Sequence, residues 1–231
     1  MYLYGYDTTW LLLLPGMLLA MVAQARMRSA FAQYSQVPAR RGFSAEEVAR
    51  HLLDAQGLTD VPITAIAGDL TDHYDPRSRR LSLSQSVYGN HSLAAIGVAA
   101  HEVGHAIQHQ QGYAPLGLRS ALVPLANVGS TAAWPLLLLG LVFSFQPLVW
   151  VGIGVFSFAV LFQLVTLPVE LNASRRALAL LEQGGYLAEE ELPGARRVLR
   201  AAALTYLAAT ITAILQLLRL LLLANGRRRR D

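Results

Sequence analysis

The sequence predicts an α-helical membrane protein with about four apolar spans and one small α+β domain. Three observations predict it. Hydrophobic residues make up 54% of the 231-residue chain and charged residues only 15%, with a mean hydropathy of +0.37, whereas a soluble domain carries about 25% charge. Four apolar stretches approach the roughly 20 residues needed to cross a bilayer. Between the first two lies a polar stretch, residues 26–119, that is rich in capping and turn signals.

Residues 1–25 are expected to form an N-terminal membrane anchor. The apolar run from about Thr9 to Ala25 is short and contains Pro15. It lacks a basic stretch before it and a small-residue cleavage site after it, so it reads as a signal anchor rather than a cleaved signal peptide. In residues 26–119, Ser44-Ala45-Glu46-Glu47 is a capping box that opens a helix ending near Gly57. Val61 to Ala67, rich in Val, Ile and Thr, reads as a strand. A turn at Asp75-Pro76-Arg77-Ser78 precedes the alternating strand Leu81-Ser82-Leu83-Ser84. Ser92 then caps a helix that ends near Gly112.

Residues 120–169 are expected to form a transmembrane hairpin. Its spans, about Ser120 to Phe143 and Pro147 to Val169, are separated only by Ser144, Phe145 and Gln146. Residues 170–200 follow as a helix. Residues 201–231 hold a last apolar helix, about Ala201 to Ala224, and a basic tail at Arg227 to Arg230 that reads as disordered. Arg219 lies near the end of that helix, where a long side chain can reach the interface.

The chain has no cysteine, so disulfides are excluded and a metal site must use His, Asp or Glu. All 19 basic residues are Arg. They fall largely in loops beside apolar runs, which makes them topology signals rather than a nucleic-acid patch. No nucleic-acid partner is expected. If His101, His105 and Glu170 share one membrane face, that face carries 14 of the Arg residues. The positive-inside rule then makes it the cytoplasmic face of the cell membrane in a multi-pass protein. With four spans the basic tail ends on the other face, against the rule, which leaves the last apolar segment open to an interfacial or re-entrant placement.

The chemistry concentrates in His101-Glu102-Val103-Gly104-His105. On a helix, residues four apart stand on one face, so two neutral imidazoles can share one Zn2+ ion. The intervening Glu102 can then act as general base toward water. Gln108 and Gln111 stand where a metzincin site would need Gly and His. His109 lies about 12 Å along the helix from His101, too far for the same ion. His51, His73 and His91 read as surface or capping residues.

A third ligand is needed, and Glu170 is the candidate. A hairpin returns the chain to the face it left, which delivers Glu170 to the same membrane face as the His helix. The alternative is an ion pair with Arg175 or another nearby Arg, or plain interfacial solvation. Gly104 either leaves room beside a metal or lets a neighbouring helix pack closely. The strand at Leu81–Ser84, or the stretch from Leu70 to Tyr74, could pair with an extended substrate. Tyr74, Tyr88 and His91 are conceivable donors to a developing oxyanion, without a choice among them.

Three segments, Leu70–Ser84, Ser92–His109 and Thr166–Leu178, together resemble the YugP-like membrane zinc metallopeptidases. The resemblance covers nearly the whole chain. It is similar in residue order to the gluzincin membrane peptidases, including the HtpX heat-shock peptidases and CAAX prenyl proteases. It implies a zincin-like domain at 26–119 and zinc-dependent peptidase activity, with ligands His101, His105 and Glu170 and with Glu102 as base. Many gluzincins carry Asp four residues after the ligand Glu, as a partner to a His. Here that position holds Ser174, and Asn172 is the other candidate for the role.

The expected function is therefore zinc-dependent endopeptidase action on peptide or membrane-protein substrates at the bilayer interface. The alternative is a zinc-binding membrane scaffold without activity. A transporter is disfavoured because the second and third spans offer only isolated Asn127, Ser130, Thr131, Ser157 and Gln163. A homo-oligomer or a gating partner is left open.

Overall fold

A computed structural model describes residues 2–3 and 6–228. Strands β1 (Tyr2–Leu3) and β2 (Tyr6–Asp7) pair antiparallel. A 3-10 turn at Thr9–Leu13 leads into α1 (Leu14–Tyr34). Then follow α2 (Ala45–Ala55), β3 (Ile63–Ile66), β4 (His73–Asp75), β5 (Arg80–Ser84) and α3 (Leu93–Gln110). Three long helices complete the chain: α4 (Ala114–Val142), α5 (Gln146–Gln183) and α6 (Leu192–Arg228). The expected tail at Arg227–Arg230 is helical through Arg228, and Arg229 and Arg230 lie outside the described residues.

Four helical stretches are long and apolar enough to cross a membrane: Thr9–Tyr34, Ala114–Val142, Gln146–Gln183 and Leu192–Gly226. The protein is thus a helical membrane protein with a small α+β domain. α5 continues without a break from its apolar stretch through Glu170, with Pro168 tolerated inside it. Ser144 takes φ of 51° in the turn between α4 and α5.

The chain divides into two compact units. The first comprises Met1–Ala23, Gly117–Pro168 and Thr205–Asp231. Its core is an interleaved cluster of α4, α5 and α6 side chains that includes Leu137, Ile153, Phe156 and Leu220. Large apolar side chains such as Leu138, Val151 and Leu164 remain exposed. Lipid is the natural solvent for such a surface.

The second unit comprises Gln24–Leu116 and Val169–Leu204. Its core joins α2, α3, the sheet and the 169–204 helical segments through Leu53, Leu83, Val103 and Leu181. The Ser44 capping box forms as the sequence predicts: the Ser44 hydroxyl accepts from the Glu47 amide, and Glu47 accepts from the Ser44 amide.

The sheet has the order β3-β5-β4, with β5 parallel to β3 and antiparallel to β4. The Leu/Ser alternation of β5 predicts one buried and one exposed face, but Ser82 and Ser84 are buried along with Leu81 and Leu83. Ser84 tolerates burial because Asp72 accepts from both its amide (2.7 Å) and its hydroxyl (2.9 Å). Because β5 is central, it has no free edge for a substrate. That part of the expectation is corrected, and the sheet's two edge strands are β3 and β4.

Candidate metal centre

The site is built from α3, the segment of α5 after Val169, and β4, all within the second unit. Ser92 starts α3 by accepting from the Ala95 amide at 3.3 Å. Small residues, Ala95, Gly97, Ala99, Ala100 and Ala106 among them, then line the helix and are buried. Close approach to α5 occurs at Gly104: a Cβ there would lie 2.7 Å from the Ala173 carbonyl oxygen. Of the two readings of Gly104, the structure favours tight helix packing. That contact brings the His pair beside the first turn after Val169.

Glu170, only 2% exposed, meets both imidazoles. One of its carboxylate oxygens lies 3.1 Å from His101 Nε2 and 3.6 Å from His105 Nε2. The two rings are edge to face, with centroids 4.7 Å apart. One donor atom from each of the three residues lies within 4.8 Å of the others. The alternative ion pair between Glu170 and Arg175 does not form; Arg175 Nε donates to the Leu171 carbonyl at 3.3 Å.

The outer edges of both rings are held. Ser174 Oγ lies 3.1 Å from His101 Nδ1, and Gln108 Oε1 lies 3.0 Å from His105 Nδ1. Donor and acceptor bookkeeping fixes the second contact. A guanidinium can only donate, so Arg176 Nε donates to Asn172 Oδ1 at 2.7 Å. Asn172 Oδ1 also accepts from Gln108 Nε2 at 2.9 Å, which donates to the Val169 carbonyl at 2.9 Å as well. The Gln108 oxygen is therefore the atom that faces His105, and Nδ1 must carry the proton. In the neutral ring, Nε2 of His105 is then the nitrogen whose lone pair is directed at the cluster.

The donor set fits Zn2+. Two imidazole nitrogens and one carboxylate oxygen converge from a largely buried position, and the neutral ring held by Gln108 at Nδ1 presents its Nε2 lone pair. Of the two candidates for supporting roles, Ser174 reaches an imidazole directly. Asn172 does not, and is linked to His105 only by way of Gln108. Gln108 itself was missed in the sequence, where it registered only as a mismatch to the metzincin pattern. Its spacing of three residues from His105 on one helix was the available signal.

Glu102 is buried next to the cluster, and its Oε2 accepts from the Tyr74 amide of β4 at 2.9 Å. Burial pushes its carboxyl up to about 7, with the charges of Glu170 and Asp72 adding to the rise and His101 and the Tyr74 amide opposing it. A cation in the cluster acts in the opposite direction. The Tyr74 contact involves a backbone group, which no side-chain pattern reveals. The Tyr74 hydroxyl, meanwhile, lies 3.0 Å from His109 Nδ1. His91 Nδ1 lies 2.9 Å from the Gly42 carbonyl and His73 Nδ1 lies 2.9 Å from the Thr71 carbonyl. His51 stacks on Tyr186.

A membrane protein with an HExxH helix and a buried carboxylate facing it has the constitution of a zinc metallopeptidase. The chain belongs to the family described as "Putative neutral zinc metallopeptidase", whose profile matches residues 9–225. It is 47% identical over 206 residues to "Putative membrane protease YugP" of Bacillus subtilis (strain 168), an alignment covering 89% of this chain and 92% of the relative. No solved structure matches. Zinc is the metal of this family.

Proposed function

We propose that this protein hydrolyses peptide bonds at the membrane interface, with His101, His105 and Glu170 as zinc ligands and Glu102 as general base. The observation that carries the reading is the Glu170 carboxylate, buried and within 3.1 and 3.6 Å of the two imidazoles, with Glu102 beside them on the same helix. A buried carboxylate flanked by a second one is costly unless positive charge compensates it.

Zinc, when bound, supplies a Lewis acid that acidifies water and polarises the scissile carbonyl. Glu102 accepts the proton of the attacking water at its carboxylate and passes it to the leaving amine. The Tyr74 amide holds that carboxylate in place. Gln108 and Ser174 hold the rings of His105 and His101. Of the two edge strands, β4 is the one that meets Glu102, through the Tyr74 amide, so a peptide extended along β4 would be aligned close to Glu102.

The active site faces the cytoplasm in a multi-pass arrangement, supported by the 14 Arg residues on the face of the His motif. Substrates are peptides or membrane proteins that reach that interface. The test is Glu102→Gln in full-length protein. Retained stoichiometric zinc with cleavage reduced by at least about a hundredfold is expected. Full cleavage by that variant refutes the role of Glu102. Zinc binding by wild type with no cleavage of any peptide in a broad panel would favour the inactive scaffold.

A further inference from the structure

A crevice of about 490 Å³ lies between α5 and α6 in the second unit, outside the metal cluster. Its apolar side is formed by Leu171, Leu178 and Leu199, and its basic side by Arg175, Arg196 and Arg200. Arg196 and Arg200 are four residues apart on one helix and so share a face. Among the described residues no carboxylate is ion-paired with any of these three guanidinium groups. They are exposed, concentrated positive charge over an apolar floor.

The position of the crevice along its helices indicates what enters it. Leu171 lies two residues beyond the apolar stretch of α5, and Ala203, also in the wall, belongs to the apolar stretch of α6. Both helices therefore change from polar to apolar along the crevice, as the environment changes from headgroup to acyl chain at a bilayer surface.

We infer that this crevice binds the headgroup of an anionic phospholipid, with its phosphodiester on Arg196, Arg200 and Arg175 and its upper acyl carbons against the leucines. Arginine suits this role because its planar fork meets phosphate oxygens in pairs. Glu182 also lines the crevice. It leaves a net positive charge and accepts from hydroxyl donors, so a glycerol headgroup satisfies both signs.

A peptide substrate fits less well. Ser174, the wall residue shared with the metal centre, bonds Nδ1 of His101, while Nε2 of the same ring faces Glu170. The crevice thus opens on the side of His101 turned away from the cluster. A headgroup there lies one side chain from His101 without covering the site.

The experiment uses full-length protein in nanodiscs of phosphatidylcholine with a minor fraction of phosphatidylglycerol, and native mass spectrometry of the released protein. Wild type should retain phosphatidylglycerol in preference to phosphatidylcholine. The Arg196→Gln, Arg200→Gln double variant should lower that preference roughly thirty-fold, about five-fold per arginine. The Arg196→Lys, Arg200→Lys variant keeps the charge without the fork and should fall between the two. Zinc content should not change in either variant, which separates loss of lipid from loss of fold. An unchanged preference in the Gln variant overturns the inference. So does displacement of the lipid by millimolar inorganic phosphate, or by a peptide ending in a free carboxylate, since either makes a soluble anion the true ligand.

Discussion

Gln108 accepts a hydrogen bond from Nδ1 of His105 at 3.0 Å, and this contact sets which nitrogen of that ring faces the metal cluster. The amide cannot turn over without setting its oxygen against the Val169 carbonyl and Asn172 Oδ1, both of which it now donates to. Polarity is thereby passed from Arg176 through Asn172 and Gln108 to the imidazole. The prediction is specific to chemistry rather than size. Gln108→Met should weaken zinc binding about ten- to a hundredfold by chelator competition. Gln108→Glu keeps an acceptor for Nδ1 and should largely retain zinc, while losing about 1–3 kcal/mol of stability through its lost donor. Equal zinc loss in both variants would argue against the tautomer role.

Glu170→Gln tests the third ligand. A neutral amide of the same shape should leave membrane insertion intact and lower zinc occupancy severalfold or more by elemental analysis of purified protein. Full occupancy would make Glu170 a structural partner of the two imidazoles and nothing more.

Ser174→Asp asks what a charge would add. It places a carboxylate where a hydroxyl now lies 3.1 Å from His101 Nδ1. A carboxylate partner makes a ligating imidazole more basic, so zinc affinity should rise by about tenfold in competition with a chelator. An unchanged or lower affinity would show that Ser174 does not act on the metal through His101.

Gly104→Ala sets two effects against each other. Alanine is better than glycine in a helix interior by about 1 kcal/mol. The added Cβ, however, would sit 2.7 Å from the backbone oxygen of Ala173, which cannot swing aside as a side chain does. Overpacking of this kind costs about 1–3 kcal/mol, so a lower Tm together with weaker zinc binding is expected. A Tm equal to or above wild type would show that α3 and α5 can separate at no cost to the site.

Removing zinc should also be felt by the fold. Without a cation, the second unit keeps Glu170 and Glu102 both buried, with the charge of Glu170 acting on Glu102. Chelation should therefore lower the thermal midpoint of wild type, and lower it less in Glu170→Gln. Identical shifts in the two proteins would remove Glu170 from the metal-linked part of stability.

Much of this was legible in the chain itself, because local chemistry carries it. The Ser44 box, the Ser92 cap and the four-residue His spacing are properties of neighbouring residues, and apolar length alone marks the four long helices. Even Glu170 was reachable, since a hairpin must return to the face it left. Contacts between distant segments were not. Nothing near Ser82 or Ser84 in sequence says that β5 is central, because strand order follows from pairing with β3 and β4. Nothing near Tyr74 says that its amide serves Glu102. Gln108 looked like a mismatch until α5 placed Val169 and Asn172 against its amide. The residue types and their spacing determined that a zinc-type donor set was present. Only the packing of α3 on α5, through the missing side chain of Gly104, decided which atoms face one another and which partner Nδ1 of His105 meets, because hydrogen-bond direction depends on through-space partners.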